Sequence, residues 1–128
     1  MSVMVPVSWG EVVDKITILE IKAERLTDPA KLANVQAELT ALAAVRDEVV
    51  PPSTALTELT ASLKDINLIL WKVEDDIRDC ERQQDFGAEF IALARAVYVT
   101  NDRRSAVKRE INVLLGSALV EEKSYAAY

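Results

Sequence analysis

Histidine is absent from the 128 residues. That removes the usual general base near neutral pH and the commonest metal ligand. Ser-His-Asp and Cys-His catalytic sets and histidine-based zinc sites therefore cannot be assembled within one chain. Cysteine occurs once, at Cys80. An internal disulfide is excluded, and the lone thiol reads as a small buried hydrophobe suited to a reducing cytoplasm. Glycine and proline are scarce, at 3 and 4 residues, which favours long uninterrupted helices over a loop-rich sheet. Aromatics make up only 5% while half the chain is apolar, so the core is mostly Leu, Val, Ile and Ala. No apolar run approaches the length of a membrane span. Residues 1–6 lack the basic region and long apolar run of a signal peptide. The expectation is a cytoplasmic protein that does not meet a membrane.

The net charge of −6 and the sequence pI near 4.7 speak against nucleic acid as a partner. The charge is uneven. Arg95 to Arg109 holds five basic residues and one acid, whereas Trp71 to Glu89 holds three basic residues and seven acids. Such stretches attract each other, within the chain or between copies.

The length suits one domain, residues 1–128, with a core that needs no disulfide or metal. It is organised around Leu56 to Cys80. Leu56, Leu59, Leu63, Ile66, Leu70, Val73, Ile77 and Cys80 recur in alternating steps of three and four, the mark of a helix with a continuous buried seam. Beside the seam runs a polar line, Asn67, Trp71, Glu74, Arg78 and Glu81, on one face of the same helix.

The remaining segments follow from start and stop signals. Val3, Val5 and Val7 alternate and Pro6 opposes helix, so residues 1–7 form a short extended arm. It is expected to lie along the helices; the alternative is pairing with a second copy. Ser8-Trp9-Gly10-Glu11 is a capping box opening the first helix, which ends near Arg25 to Thr27. Asp28-Pro29 starts a second, antiparallel helix that turns Leu32, Val35, Leu39, Leu42 and Val45 or Val49 inward. Pro51-Pro52 ends it, and Ser53 or Thr54 caps a third helix running to about Gln84, roughly 45 Å long. Asp85 is the expected cap of the fourth. Phe86, Phe90, Leu93, Val97, Val107, Ile111 and Leu114 keep phase across the weak stretch at Val97–Asp102. One long, kinked helix to Leu115, closed by Gly116, is therefore favoured over two. The tail, residues 117–128, is expected to dock through Leu119, Val120 and its tyrosines, with the last few residues disordered.

The fourth helix interrupts its apolar stripe with Asn101, Arg104 and Lys108, and Tyr98 shares a face with Asn101 and Lys108. In a hairpin turning near Asp85, this polar line falls beside that of the third helix. Asn67 then approaches Arg104, and Glu74 approaches Arg95. Two outcomes are open. The lines close on each other as a fully paired network that fixes register. Otherwise they line a pocket for a small anion, a phosphate or dicarboxylate, held by Arg78, Arg95, Arg104 and Lys108 with Asn67, Trp71, Tyr98 and Asn101 around it. On that second reading Glu74 is the acid or base of a small helical enzyme. The carboxylates Glu74, Asp75, Asp76 and Asp79 read as a solvated face rather than a magnesium site, so no metal or cofactor is assigned. Glu11–Asp14 and Asp76–Asp79 are only partial matches to the paired acidic motifs of helical nucleotide pyrophosphohydrolases. Helical chorismate mutases are no closer, and neither comparison transfers a residue.

Four stretches carry a wider resemblance: Ser8 to Leu26 (SWGEVVDKITILEIKAERL), Ile66 to Glu81, Phe90 to Asn112, and Gly116 to Tyr125. Together they resemble a bacterial family of small proteins classed as a domain of unknown function. The resemblance implies no reaction, ligand or catalytic residue.

The expected fold is an all-α antiparallel helical bundle with two shorter and two long helices and a short extended N-terminal arm. A homodimer is expected, because two short helices do not cover a 45 Å companion (about 1.5 Å per residue). The expected role is a binding or assembly module without catalysis, its partner a protein or a small anionic ligand.

Overall fold

The computed structural model describes residues 1–119 and 121–128. Its elements are α1 (Trp9–Arg25), α2 (Pro29–Val49), α3 (Thr54–Arg82) and α4 (Ala88–Leu114), with no strand among the described residues. The fold is all-α, as the periodicity requires, with two shorter and two longer helices.

Each helix start has a local cause. Ser8 accepts the Glu11 amide at 3.3 Å, Asp28 accepts the Ala30 amide at 2.9 Å ahead of Pro29, and Ser53 accepts the Leu56 amide at 3.1 Å. Each cap satisfies an amide that the helix leaves open. The reciprocal half of the expected capping box is not made, because the Glu11 carboxylate reaches Lys108 instead. At α4 the cap is Gly87 and not Asp85. The Asp85 carboxylate accepts the Gly87 amide at 3.1 Å, ordering the turn one step before the helix begins.

The helix ends are equally legible. After α4, Gly116 takes φ 63°, Ser117 N–H donates to Asn112 C=O at 2.9 Å and Gly116 N–H to Val113 C=O at 3.3 Å. That pair of bonds closes the helix with a left-handed residue, which glycine adopts without strain. After α3 the same closure forces Gln84 to φ 55°, with Asp85 N–H bonded to Cys80 C=O at 2.9 Å. No break occurs at Val97–Asp102, and α4 is a single helix.

Packing divides the helices unequally. α3 and α4 form a hairpin, α1 lies against both, and α2 touches only α1. The core cluster is Val13, Val50, Leu56, Leu63 and Ile111, with Trp9, Leu59, Val107 and Leu115 packed on it. The α3 seam is buried at Leu56, Leu63, Ile66, Val73 and Cys80. Because α2 has one neighbour, Val35 alone is fully buried along it, and Val45 and Val49, expected inward, are exposed. The N-terminal arm does not lie along the helices. Val3, Met4, Val5 and Val7 are all exposed. Phe86 also misses the core and stacks edge-on against Phe90 at 5.3 Å.

The tail returns along α4. Glu121 and Glu122 pair with Lys108 and Arg109, and Tyr128 packs edge-on against Tyr98 at 5.5 Å. Val120, expected to dock, lies outside the described residues. No described helix is long and apolar enough to cross a membrane.

Candidate functional site: a polar cleft above a buried ion pair

The two polar lines do not close on each other. They close on α1. Asp14, 2% exposed, stands on the face of α1 that turns toward α3 and α4. Its Oδ1 accepts Arg104 Nε at 2.9 Å and Asn67 Nδ2 at 2.9 Å, while Oδ2 accepts Arg104 Nη2. Asn67 also donates to Thr17 Oγ1 at 2.9 Å, and the Thr17 hydroxyl donates to the Asp14 carbonyl at 2.7 Å. One carboxylate thus meets a guanidinium fork and an amide, one from each long helix. This is the two-pronged geometry that makes arginine–carboxylate pairs strong. The Asp14 carboxylate holds the Arg104 guanidinium above its ordinary value, against the lowering effect of burial. Among the described residues no buried side-chain nitrogen or oxygen is left without a partner. The expected approach of Asn67 to Arg104 is therefore real but indirect, with Asp14 between them.

A second polar joint holds the start of α1 to the end of α4. Gly10 N–H donates to Asn112 Oδ1 at 2.7 Å, and Trp9 N–H donates to Ser117 Oγ at 3.0 Å. A β-carbon at Gly10 would stand 2.5 Å from the Lys108 carbonyl oxygen and 2.8 Å from Asn112 Oδ1, so the helices meet only because this residue has no side chain. Lys108 is buried beside the joint, with its ammonium 2.5 Å from Glu11 and 3.2 Å from Glu121. Burial alone would lower its pKa, but the two carboxylates outweigh burial and the group is held above 10.5.

Over the Asp14 network opens a cleft of about 510 Å³. Asn67, Trp71, Glu74, Arg78, Asn101 and Arg104 line it, together with Ile18 and Leu70. Three residues expected at the site stand elsewhere. Arg95 is exposed and makes no ion pair among the described residues. Tyr98 packs on the tail, and Lys108 belongs to the joint at the far end of α1. For Lys108 the reason is that this end of α4 packs on α1, where Glu11 draws off the lysine. Glu74 does not reach Arg95. It lies 3.4 Å from Arg78, one turn on, with side chains 47% and 72% exposed.

The cleft contains one fixed cation and one exchangeable cation. Removing a partner from a buried pair such as Asp14–Arg104 costs about 3–5 kcal/mol, so Arg104 is committed to the fold. An exposed helix pair such as Glu74–Arg78 is worth roughly 0.3–0.5 kcal/mol, so Arg78 can leave Glu74 for another anion at little cost. Three of the five basic residues in the basic stretch of α4, Arg104, Lys108 and Arg109, are engaged within the chain, by Asp14, Glu11, Glu121 and Glu122.

Asp14, Thr17 and Gly10 were not singled out by the sequence as site residues. The available signal was Asp14 on a shared face with Ile18 and Ile21: a carboxylate in an apolar line demands a buried partner.

Compared with known proteins, the chain matches the model of one family over residues 3–128, described as a family of unknown function (DUF6165). No curated protein and no solved structure matches it.

Proposed function

We propose, since the chain belongs to the family of unknown function DUF6165 and inherits no activity from it, that it is a non-catalytic helical binding module. Its ligand seat is the cleft between α1, α3 and α4. The observation that carries this reading is a 510 Å³ cleft with a fully paired polar floor and an exchangeable arginine, Arg78, on its rim. Rigid floors with a few mobile polar groups are what small-ligand sites are made of.

The lining limits the ligand. Arg78 and Arg104 stand against Asp14, Glu74 and Asp75, so a polyanion meets more negative than positive charge. A small molecule with one carboxylate or phosphate for Arg78, an apolar or aromatic body for Trp71 and Leu70, and a polar edge for Asn67 and Asn101 matches the wall. The enzyme alternative, with Glu74 as acid or base, has less support. Glu74 is half open to water, whereas proton-transfer and electrostatic catalysis draw strength from preorganised, water-excluded sites. A buried thiol at Cys80, its pKa pushed up by burial, suits the reducing cytoplasm as the place of action.

The test is a thermal-shift screen of carboxylate and phosphate metabolites, run on the wild type and on Arg78→Gln. A ligand at a hundred times its dissociation constant stabilises by about 2.7 kcal/mol. The expected result is a shift in the wild type that R78Q loses, with the unliganded melting point unchanged. A flat screen, or a shift of equal size in both proteins, would sink this reading.

A further inference from the structure

The arm and one face of the hairpin are both apolar, both uncovered and close together. Val3, Met4, Val5 and Val7 are 55–94% exposed, and residues 1–8 carry no charged side chain. On the α3–α4 hairpin, Ala55, Leu59, Ala106, Val113 and Leu114 line a wide groove of about 800 Å³. Val113 is 71% exposed. Glu58, Arg109 and Glu110 also line this groove, an apolar floor with polar groups among it that fits an interaction site.

The two features share one end of the molecule. Leu59, in the groove, packs on the same core cluster as Trp9, the residue at which the arm becomes α1. Trp9 is in turn bonded to Ser117, three residues beyond the last residue of α4. Seven extended residues reach about 23 Å at roughly 3.3 Å each, ample to cross a neighbouring groove. Yet the single chain leaves its own groove open and its own arm in water.

We infer that the groove is the seat of the arm of a second copy, so that two chains exchange arms about a two-fold axis. The exchange is isologous: each chain gives one arm and receives one, and the assembly closes at two. Because the symmetry makes the contact twice, one arm with one groove need supply only half of the roughly 1,200–2,000 Å² that a specific interface buries in total. The alternation of Val3, Val5 and Val7 sets every second side chain on one face of the arm, the pattern an extended segment needs to lay one apolar edge into a groove.

Sedimentation equilibrium of the full chain at tens of micromolar, with Val5→Asp and Val113→Asp as variants, tests this. Both positions are solvent-exposed in the single chain, so neither substitution disturbs the bundle, and circular dichroism provides the check. The wild type should be a dimer. Each variant should weaken association by roughly a hundredfold or more, because symmetry places every substitution at both grooves. A monomeric wild type overturns the inference. So does a dimer whose association constant is unchanged in either variant, since the copies would then meet elsewhere.

Discussion

Asp14→Asn removes one charge and almost no volume, and it strikes the point where three helices meet. In the wild type both carboxylate oxygens accept: Oδ1 from Asn67 and Arg104, Oδ2 from Arg104. An asparagine keeps one oxygen and presents an NH₂ group in place of the other. Whichever way the amide turns, a donor then faces a donor of Arg104 or Asn67, and the guanidinium has lost its counter-charge. Removing one partner of a buried pair costs about 3–5 kcal/mol. Arg104 keeps 28% of its side chain exposed, so water recovers part of the loss, and we expect roughly 2–4 kcal/mol. That is a large share of a stability of about 5–15 kcal/mol. Glu74→Gln is the control: it removes a carboxylate from an exposed pair and should cost no more than about 0.5 kcal/mol. Urea unfolding at pH 7 and fixed protein concentration measures both, with an unchanged m-value confirming that the same surface is exposed. The Asp14 penalty should also survive added salt, because a buried pair is poorly screened. If Asp14→Asn and Glu74→Gln cost the same, the network is not what joins α1 to the hairpin.

Two further outcomes follow from the joint between α1 and α4. Gly10→Ala adds about 1 kcal/mol of helix propensity, but its β-carbon meets a backbone carbonyl at 2.5 Å. The clash wins, and thermal unfolding should show a net loss of about 1–3 kcal/mol; a more stable G10A would show that the helices separate freely. Lys108 is held above its ordinary 10.5 by Glu11 and Glu121 against burial. A raised folded-state pKa means the ammonium contributes stability that is complete below pH 10.5 and disappears as pH rises through the folded value. Unfolding free energy should therefore fall above pH 10.5, and Lys108→Met should flatten that fall; an identical alkaline profile in the variant would refute the assignment.

How much of this was legible beforehand depends on the range of the interaction. The caps at Ser8, Asp28 and Ser53 and the stop at Gly116 are short-range devices, written within four residues of where they act. The seam from Leu56 to Cys80 is a repeat, and repeats survive without knowledge of the neighbour. The site was half legible for the same reason. Asn67, Trp71, Glu74 and Arg78 share a face by helical arithmetic alone, and the cleft contains all four. Lys108, Arg95 and Tyr98 were grouped with them by assuming that α4 faces α3 through its polar line, which left out α1 and the tail, the partners that Lys108 and Tyr98 take.

The order, lengths and ends of the helices, and the existence of two polar lines, are properties of the sequence, because hydrogen-bonded helices and their caps are local. Which partner each polar residue takes was decided by the tertiary structure. Only the close approach at Gly10 and the crossing of α1 over the hairpin bring Asp14 within 2.9 Å of both Asn67 and Arg104. Periodicity places a side chain on a face. It does not say which helix that face will meet, since many neighbours satisfy the same apolar stripe and only packing the whole chain at once selects among them.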